Sequence, residues 1–366
     1  MMFKRSLSKN FDKTFLLVAL LIFIIGILTV YSATQARNLP FSESFFVKQA
    51  VWMLIAVLFM IIALAVSYQR FIDISYVIYA LNVLLLIFVL VLGKSRLGAQ
   101  RWFPIGAFAF QPSEFIKLSL ILVLSGYVGA RKDTMARAGN MVIPCILLGI
   151  PFALVLLQPD LGTALLLLPI FLSILVVGGA SLKYINGMLV AGLAVIPVFW
   201  HFLKGYQKQR LLVFINPNID PLGAGYNIIQ SKISVGSGGL LGKGWLNGTQ
   251  NQLNFLPERH TDFIFSVIGE EFGFIGAAAL VLLYFVLVKK AFTISNTTSD
   301  MYGKCVATGV GMLLAMQVII NIGMTIGLMP VVGIPLPLVS YGGSSLLSTM
   351  IAIGLLLNVG MRRSTF

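Results

Sequence analysis

The chain has 366 residues, of which 58% are hydrophobic and only 10% are charged, and its formal net charge at neutral pH is +14. Soluble domains carry about 25% charged residues, so this composition indicates an integral membrane protein and excludes a soluble domain. The positive charge is explained by lysines and arginines that lie next to the anionic lipid headgroups. Because the chain has no soluble basic domain, we expect no nucleic-acid partner. Cys145 and Cys305 belong to no CxxC or Cys/His cluster, so neither a disulfide framework nor a zinc site is expected.

Hydropathy predicts an all-α polytopic bundle of ten transmembrane helices that forms one domain over residues 1–366. Each predicted helix is long enough, or nearly so, for the roughly 20 apolar residues that cross a bilayer. The predicted spans are 14–34, 45–66, 72–92, 113–129, 140–157, 161–179, 183–201, 263–288, 303–326 and 342–361. The first span has an apolar core longer than that of a signal peptide, so an uncleaved helix is expected, with cleavage after Ala33 or Ala36 as the alternative.

Lysine and arginine are concentrated in the short loops on the side of the N-terminus. Because such loops stay in the cytoplasm, both termini are predicted to be cytoplasmic. A long loop, residues 202–262, then lies on the outer side between the seventh and eighth spans.

Charge is concentrated at the end of this long loop, immediately before the eighth span. The four ionisable residues there are Glu258, Arg259, His260 and Asp262. Charges at the mouth of a membrane helix are costly and are therefore functional candidates. Asp262 is the first candidate for a general base, with a simple helix cap as the alternative and Thr261 as a competing cap. Glu258 is compatible with an ion pair to Arg259 or with a second base, and a lone histidine is more often structural.

A second polar cluster surrounds the start of the fourth span. Glu114 and Lys117 are three residues apart and share one helix face. They are compatible with a buried ion pair that fixes packing. Alternatively, Lys117 and Arg101 line an outward-facing anionic site. Deeper in the eighth span, Glu270 and Glu271 must face other helices or water and be paired with a cation.

Two further segments combine polar residues with helix-breaking residues. Asp160, between the fifth and sixth spans, is predicted to cap the sixth helix. Three prolines in residues 330–337, followed by Ser340 and two glycines, predict a broken entry to the last helix, which places polar backbone at membrane depth.

The long loop contains a glycine-rich stretch at 236–245. It lacks the Walker pattern, because Ser237 and Gly244 stand where glycine and serine or threonine are required. It is compatible with a flexible loop, or with a mobile cover whose backbone N–H groups and Lys243 approach a phosphate. Residues 225–235 of this loop are predicted to form a short amphipathic helix that lies on the membrane.

Taken together, these segments resemble the SEDS family (shape, elongation, division, sporulation), and its RodA branch more closely than its FtsW branch. The matching segments are GAQRWF at 98–103, FQPSE at 110–114, QPDLGT at 158–163, DPLGAGY at 220–226, IIQSKI at 228–233, GSGGLLGKGW at 236–245, FLPERHTDFIFSVIGEE at 255–271 and PLPLVSYGGSS at 335–345. Ten helices with a long outer loop after the seventh is also the plan of this family.

The resemblance implies a glycosyltransferase of the bacterial plasma (inner) membrane that polymerises lipid II into peptidoglycan glycan strands for cell elongation and shape. It implies a class B penicillin-binding protein as transpeptidase partner within the elongation machinery, and Asp262 as the essential carboxylate. The residues expected to bind substrate or line its cavity are Arg101, Glu114, Lys117, Asp160, Arg210, Lys232, Lys243, Glu258, Arg259, His260 and Ser340. No cofactor is evident; a divalent cation, Mg²⁺ or Mn²⁺, would offset pyrophosphate charge, but no ligand cluster of familiar spacing is present.

Two other functions remain open at this point. Intramembrane charges and broken helices also suit a lipid II flippase, although the chain shows no convincing internal repeat. A non-catalytic scaffold for a cell-wall synthase would leave Asp262 replaceable by Asn.

Overall fold

A computed structural model describes residues 11–35, 40, 44–96, 99–105, 108–202, 205–223 and 225–362. The described chain is a helical bundle with a small antiparallel sheet. Its α-helices are α1 (Lys13–Gln35), α2 (Phe45–Ala65), α3 (Tyr68–Asp73), α4 (Ser75–Leu92), α5 (Pro112–Ala130), α6 (Val142–Leu157), α7 (Leu161–Val177), α8 (Leu182–Phe202), α9 (Gly205–Ile215), α10 (Tyr226–Ser237), α11 (Thr249–Gln252), α12 (Ile264–Thr297), α13 (Met301–Thr325) and α14 (Gly343–Arg362).

The membrane character of the fold is confirmed. Within the described residues, eight helical segments are long and apolar enough to cross a bilayer. The sixth and seventh predicted spans correspond to α7 and α8, whose apolar stretches are shorter. Helices therefore occupy all ten predicted places, while the count of ten membrane crossings stays a prediction.

The bundle is built around three largely enclosed helices, α5, α13 and α14. Helix α13 packs against α5, α7 and α12, and α14 packs along α2. Helices α2, α4 and α6 instead expose many leucine, isoleucine and valine side chains. Because lipid solvates apolar surface, this inside-out distribution suits a bilayer, with polar side chains kept for the interior.

The sheet was not predicted from the sequence. Its strands are β1 (Lys94–Arg96), β2 (Ala99–Ile105) and β3 (Phe108–Phe110), paired in the order β1-β2-β3. In the β2–β3 pair, Phe103 lies opposite Phe110. The sheet connects α4 to α5, and it carries Arg101 on its central strand.

Helix α12 is broken at Gly273, where φ is +64°. The glycine-rich stretch crosses this break: Phe274 N donates to Gly239 O at 2.9 Å and Ile275 N to Leu240 O at 3.2 Å. A Cβ atom at either Gly242 or Gly273 would collide with the opposite backbone. The glycines therefore permit close contact between two backbones.

Candidate active site at the 258–262 turn

Asp262 lies on a tight turn just before α12. The backbone N–H groups of Thr261 and Asp262 both donate to Glu258 O at 3.1 Å, and Glu258 itself has a φ of +50°. The N-cap position of α12 is Phe263, which makes no side-chain cap. Among the described residues, therefore, neither Asp262 nor Thr261 caps this helix, which removes the alternative interpretation of Asp262.

The Asp262 carboxylate is partly buried against the non-helical segment 327–341. A Cβ atom at Gly333 would lie 3.3 Å from Asp262 Oδ2. Burial and, to a lesser extent, the nearby Glu258 carboxylate raise the pKa of Asp262 to about 6, although Arg210 and Arg101 act in the opposite direction. A carboxylate with a pKa this close to neutrality is suited to accept a proton.

A small open cleft lies beside this turn, because its lining residue Val332 adjoins the glycine that contacts Asp262. Its lining residues are Arg101, Pro159, Leu161, Gln207, Arg210, Leu211, Pro330, Val331 and Val332. The two guanidinium groups come from elements far apart in the sequence. Guanidinium groups bind phosphate oxygens through paired N–H donors, so the cleft is suited to an anionic ligand.

Arg101 is held in place by the 158–160 loop. Its Nε donates to Gln158 O at 3.3 Å, its Nη2 donates to Pro159 O, and its Nη1 lies 3.6 Å from Asp160 Oδ1. Asp160 also caps α7, as predicted, by accepting from Thr163 N at 3.2 Å. The Asp160 carboxylate thus orients Arg101 as well as capping a helix.

Glu114 and Lys117 form a buried ion pair. Lys117 Nζ lies 2.7 Å from Glu114 Oε2, and the side chains are only 2% and 4% exposed. Ser348 Oγ of α14 donates to the same carboxylate oxygen at 3.3 Å. The ion-pair interpretation is confirmed, and neither side chain lines the cleft that contains Arg101 and Arg210.

Four other predicted site residues also lie outside the cleft lining. Lys232 is exposed on α10 and contacts Gly327. Arg259 is buried and donates to Ala33 O at 2.7 Å. The His260 ring is buried, 4.7 Å from the Phe45 ring and 5.8 Å from the Tyr341 ring. Ser340 is also buried and bonds to backbone on the Asp262 turn.

Lys243 anchors the glycine-rich stretch. Its Nζ lies 2.8 Å from Oε1 of the fully buried Glu270, and its backbone N donates to Glu270 O at 3.0 Å. Gly244 N donates to Glu271 O at 3.0 Å. These N–H groups are used within the protein, so the structure does not support a phosphate-binding cover.

We expect Lys243→Met to lower the free energy of unfolding by about 1–3 kcal/mol, because it leaves the buried Glu270 carboxylate without its cation. Thermal and denaturant unfolding in detergent would measure this loss. Lys232→Met, which removes an exposed lysine from the neighbouring helix, is the matched control. Equal stability of the two variants would show that the pair does not anchor the stretch.

Sequence reasoning missed two polar residues at this site, Gln207 in the cleft lining and Asn321 on α13. Asn321 is fully buried, and its Nδ2 donates to Asp262 O at 3.0 Å and to Ile334 O at 2.8 Å. An amide inside an apolar helix was the available signal. Gln207 stands in a polar stretch and gave no comparable signal.

Comparisons with known proteins agree with this architecture. The family model for the FtsW, RodA and SpoVE cell cycle proteins matches residues 12–365. The peptidoglycan glycosyltransferase MrdB of Escherichia coli K12 is 40% identical over 97% of this chain and 94% of its own length. The peptidoglycan glycosyltransferase RodA of Treponema pallidum is 34% identical, over 97% of this chain and 98% of its own. The chain belongs to the FtsW/RodA/SpoVE family.

Solved structures show the same fold. A chain from a study of how a peptidoglycan synthase complex coordinates polymerization and crosslinking matches with a TM-score of 0.83 and 33% identity, over 97% of this chain and 99% of that one. The crystal structure of Thermus thermophilus RodA matches with a TM-score of 0.73 and 29% identity, over 97% and 98% of the two chains. The resemblance inferred from the motifs, including its RodA character, is confirmed.

Proposed function

We propose that this protein is a peptidoglycan glycosyltransferase that polymerises lipid II into glycan strands during cell elongation. The proposal depends chiefly on the position of Asp262, a partly buried carboxylate beside a cleft with two arginines. The relatives MrdB and RodA, which carry this activity in their names, support it.

In this mechanism Asp262 is the general base. It takes the proton of the acceptor sugar 4-hydroxyl while that oxygen attacks the anomeric carbon of the donor. The bond from the anomeric carbon to the pyrophosphate breaks, and the lipid pyrophosphate leaves with the bonding electrons. Arg101 and Arg210 offset the charge that develops on the pyrophosphate oxygens.

A divalent cation is a second part of the proposal. No group of three or more histidine, cysteine or acidic side chains is placed to hold a metal within the described part of the chain. Mg²⁺, however, is commonly held by one or two carboxylates together with substrate phosphates. Glu258, exposed on the same turn as Asp262, is the residue that would hold Mg²⁺ or Mn²⁺ together with the pyrophosphate, and the cation would supply additional charge compensation there.

The proposal also includes location and partner. It places the protein in the bacterial inner membrane with both termini cytoplasmic and Asp262 on the outer side, as the distribution of lysine and arginine predicts. The partner is a class B penicillin-binding protein, supported by the matching chain from a peptidoglycan synthase complex. It supplies the crosslinking activity.

The decisive experiment offers purified lipid II to the protein together with its class B partner in liposomes, and resolves the glycan products on a gel. Polymer that forms only in the presence of this protein would support the proposal. Absence of polymer, combined with movement of lipid II across the liposome membrane, would favour the flippase function instead.

Activity is expected to depend on pH through Asp262. Because a base acts in its deprotonated form, the rate should fall as pH decreases through about 6, the pKa of Asp262, and not near the ordinary value of 3.8. Below that pH the rate should drop about tenfold per unit. Initial polymerisation rates between pH 4.5 and 8, in a range where the protein stays folded, would measure this limb. A flat profile down to pH 5 would contradict the assignment.

A further inference from the structure

The backbone on the C-terminal side of the Asp262 turn is fixed by three different donors. Three successive carbonyl groups, those of residues 260, 261 and 262, are each hydrogen-bonded. Tyr341 N donates to His260 O at 2.9 Å, Ser340 Oγ to Thr261 O at 2.6 Å, and Asn321 Nδ2 to Asp262 O at 3.0 Å. The peptide planes on both sides of the Asp262 Cα atom are therefore held in place.

The backbone N–H groups of the same turn are held by a hydrogen-bond acceptor that belongs to the turn itself. The N–H groups of Thr261 and Asp262, and more weakly that of Phe263, all converge on Glu258 O at 3.1 to 3.4 Å. The left-handed conformation of Glu258 makes this convergence possible and carries a cost that the surrounding contacts must offset. Such local strain persists only where neighbouring structure holds it.

The two side-chain donors also organise the segment that contacts the Asp262 carboxylate. Asn321 Nδ2 donates to Ile334 O at 2.8 Å, next to the glycine that lies against Asp262 Oδ2. Ser340 Oγ accepts from Leu336 N at 2.8 Å. Each residue thus joins the turn to the 327–341 segment, which fixes both the carboxylate and the surface opposite it.

Gln49 of α2 holds the backbone around Ser340. It is fully buried, its Nε2 donates to Ser340 O at 3.2 Å, and its Oε1 accepts from Gly342 N at 3.4 Å. The turn, the 327–341 segment, α2 and α13 are therefore connected through buried hydrogen bonds. Buried amides and hydroxyls are costly unless satisfied, which favours a single arrangement of these groups.

We propose that Asn321 and Ser340 are positioning residues for Asp262: they act through its backbone and hold its carboxylate in the orientation that accepts the proton. This inference rests on the proposed function, in which Asp262 is the base. It gives a specific role to Ser340, which the sequence analysis expected to bind substrate or line its cavity.

The test compares Asn321→Ala and Ser340→Ala with variants that remove similar hydrogen bonds at the opposite end of the bundle. Asn358→Ala is the matched amide control, because Asn358 is buried and donates to Ala63 O at 2.8 Å and Leu64 O at 2.9 Å. Ser295→Ala is the matched hydroxyl control, because Ser295 Oγ donates to Lys304 O at 3.2 Å. Each variant is assayed with its partner for kcat and KM on lipid II and for thermal unfolding.

We expect Asn321→Ala and Ser340→Ala to lower kcat by about 10- to 100-fold with little change in KM, since a displacement of about 1 Å in a reacting group has effects of this size. Ser340→Thr, which keeps the hydroxyl, should restore kcat, and both controls should retain it.

Two results would overturn the inference. Unchanged kcat in both alanine variants, in a protein that loses activity with Asp262→Asn, would reject the positioning role and leave the proposed function standing. Retention of activity by Asp262→Asn would remove the base, and with it this inference. If Asn321→Ala does not fold, the Ser340 series, with its threonine variant, decides the matter alone.

Discussion

Replacement of Asp262 by Asn is expected to reduce glycan-chain formation by about 100- to 10,000-fold, the usual contribution of a positioned general base. The amide has nearly the shape of the carboxylate but is not basic near neutral pH. The hydrogen bonds that hold residue 262 use its backbone N–H and C=O groups, so the substitution leaves them in place. Folding should therefore be preserved while the reaction stops.

The measurement is polymerisation of lipid II by purified protein with its partner, normalised to folded protein by thermal unfolding. Asp133→Asn is the control, because it neutralises an exposed acid on the α5–α6 loop. Substrate binding should persist in Asp262→Asn, since the two arginines of the cleft are unchanged. Polymer yields within about threefold of wild type would exclude Asp262 as the base and favour a scaffold function.

The helices were largely predictable because a membrane helix must be continuously apolar. That requirement is local, so α1, α2, α12 and α14 begin and end within a few residues of the predicted spans, except that α12 continues beyond its predicted end. The sheet was not predictable, because its strands are only three to seven residues long. Strands this short, without alternating polarity, leave no periodic signal.

The site was predictable where its residues are neighbours in sequence. The 258–262 turn combined rare charges with the start of a membrane helix, which was enough to select Asp262. Arg101, with its partner Asp160, lies near Arg210 only because of the way in which β2, α7 and α9 are arranged. No local sequence pattern specifies this arrangement. For the same reason the bond from Ser340 to the Asp262 turn was not predictable, since sequence shows a hydroxyl but not the direction in which it points.

The ion pair between Glu114 and Lys117 leads to the largest expected effect on stability. Either Glu114→Gln or Lys117→Met alone leaves one charge almost fully buried without its partner, and should lower the free energy of unfolding by about 3–5 kcal/mol. The double variant removes both charges together. Because the amide introduced by Glu114→Gln still offers Ser348 an acceptor, most of the lost stability should return.

A surface pair provides the comparison. Lys290 Nζ lies 3.1 Å from Asp12 Oδ2, but these side chains are 35% and 22% exposed, so Lys290→Met should cost only about 0–1 kcal/mol. Denaturant unfolding of all four variants separates burial of a charge from loss of a contact. Polymerisation by the double variant then decides the role of the pair. Recovery of both stability and activity would make the pair structural, whereas recovery of stability alone would show that the charges also contribute to the reaction.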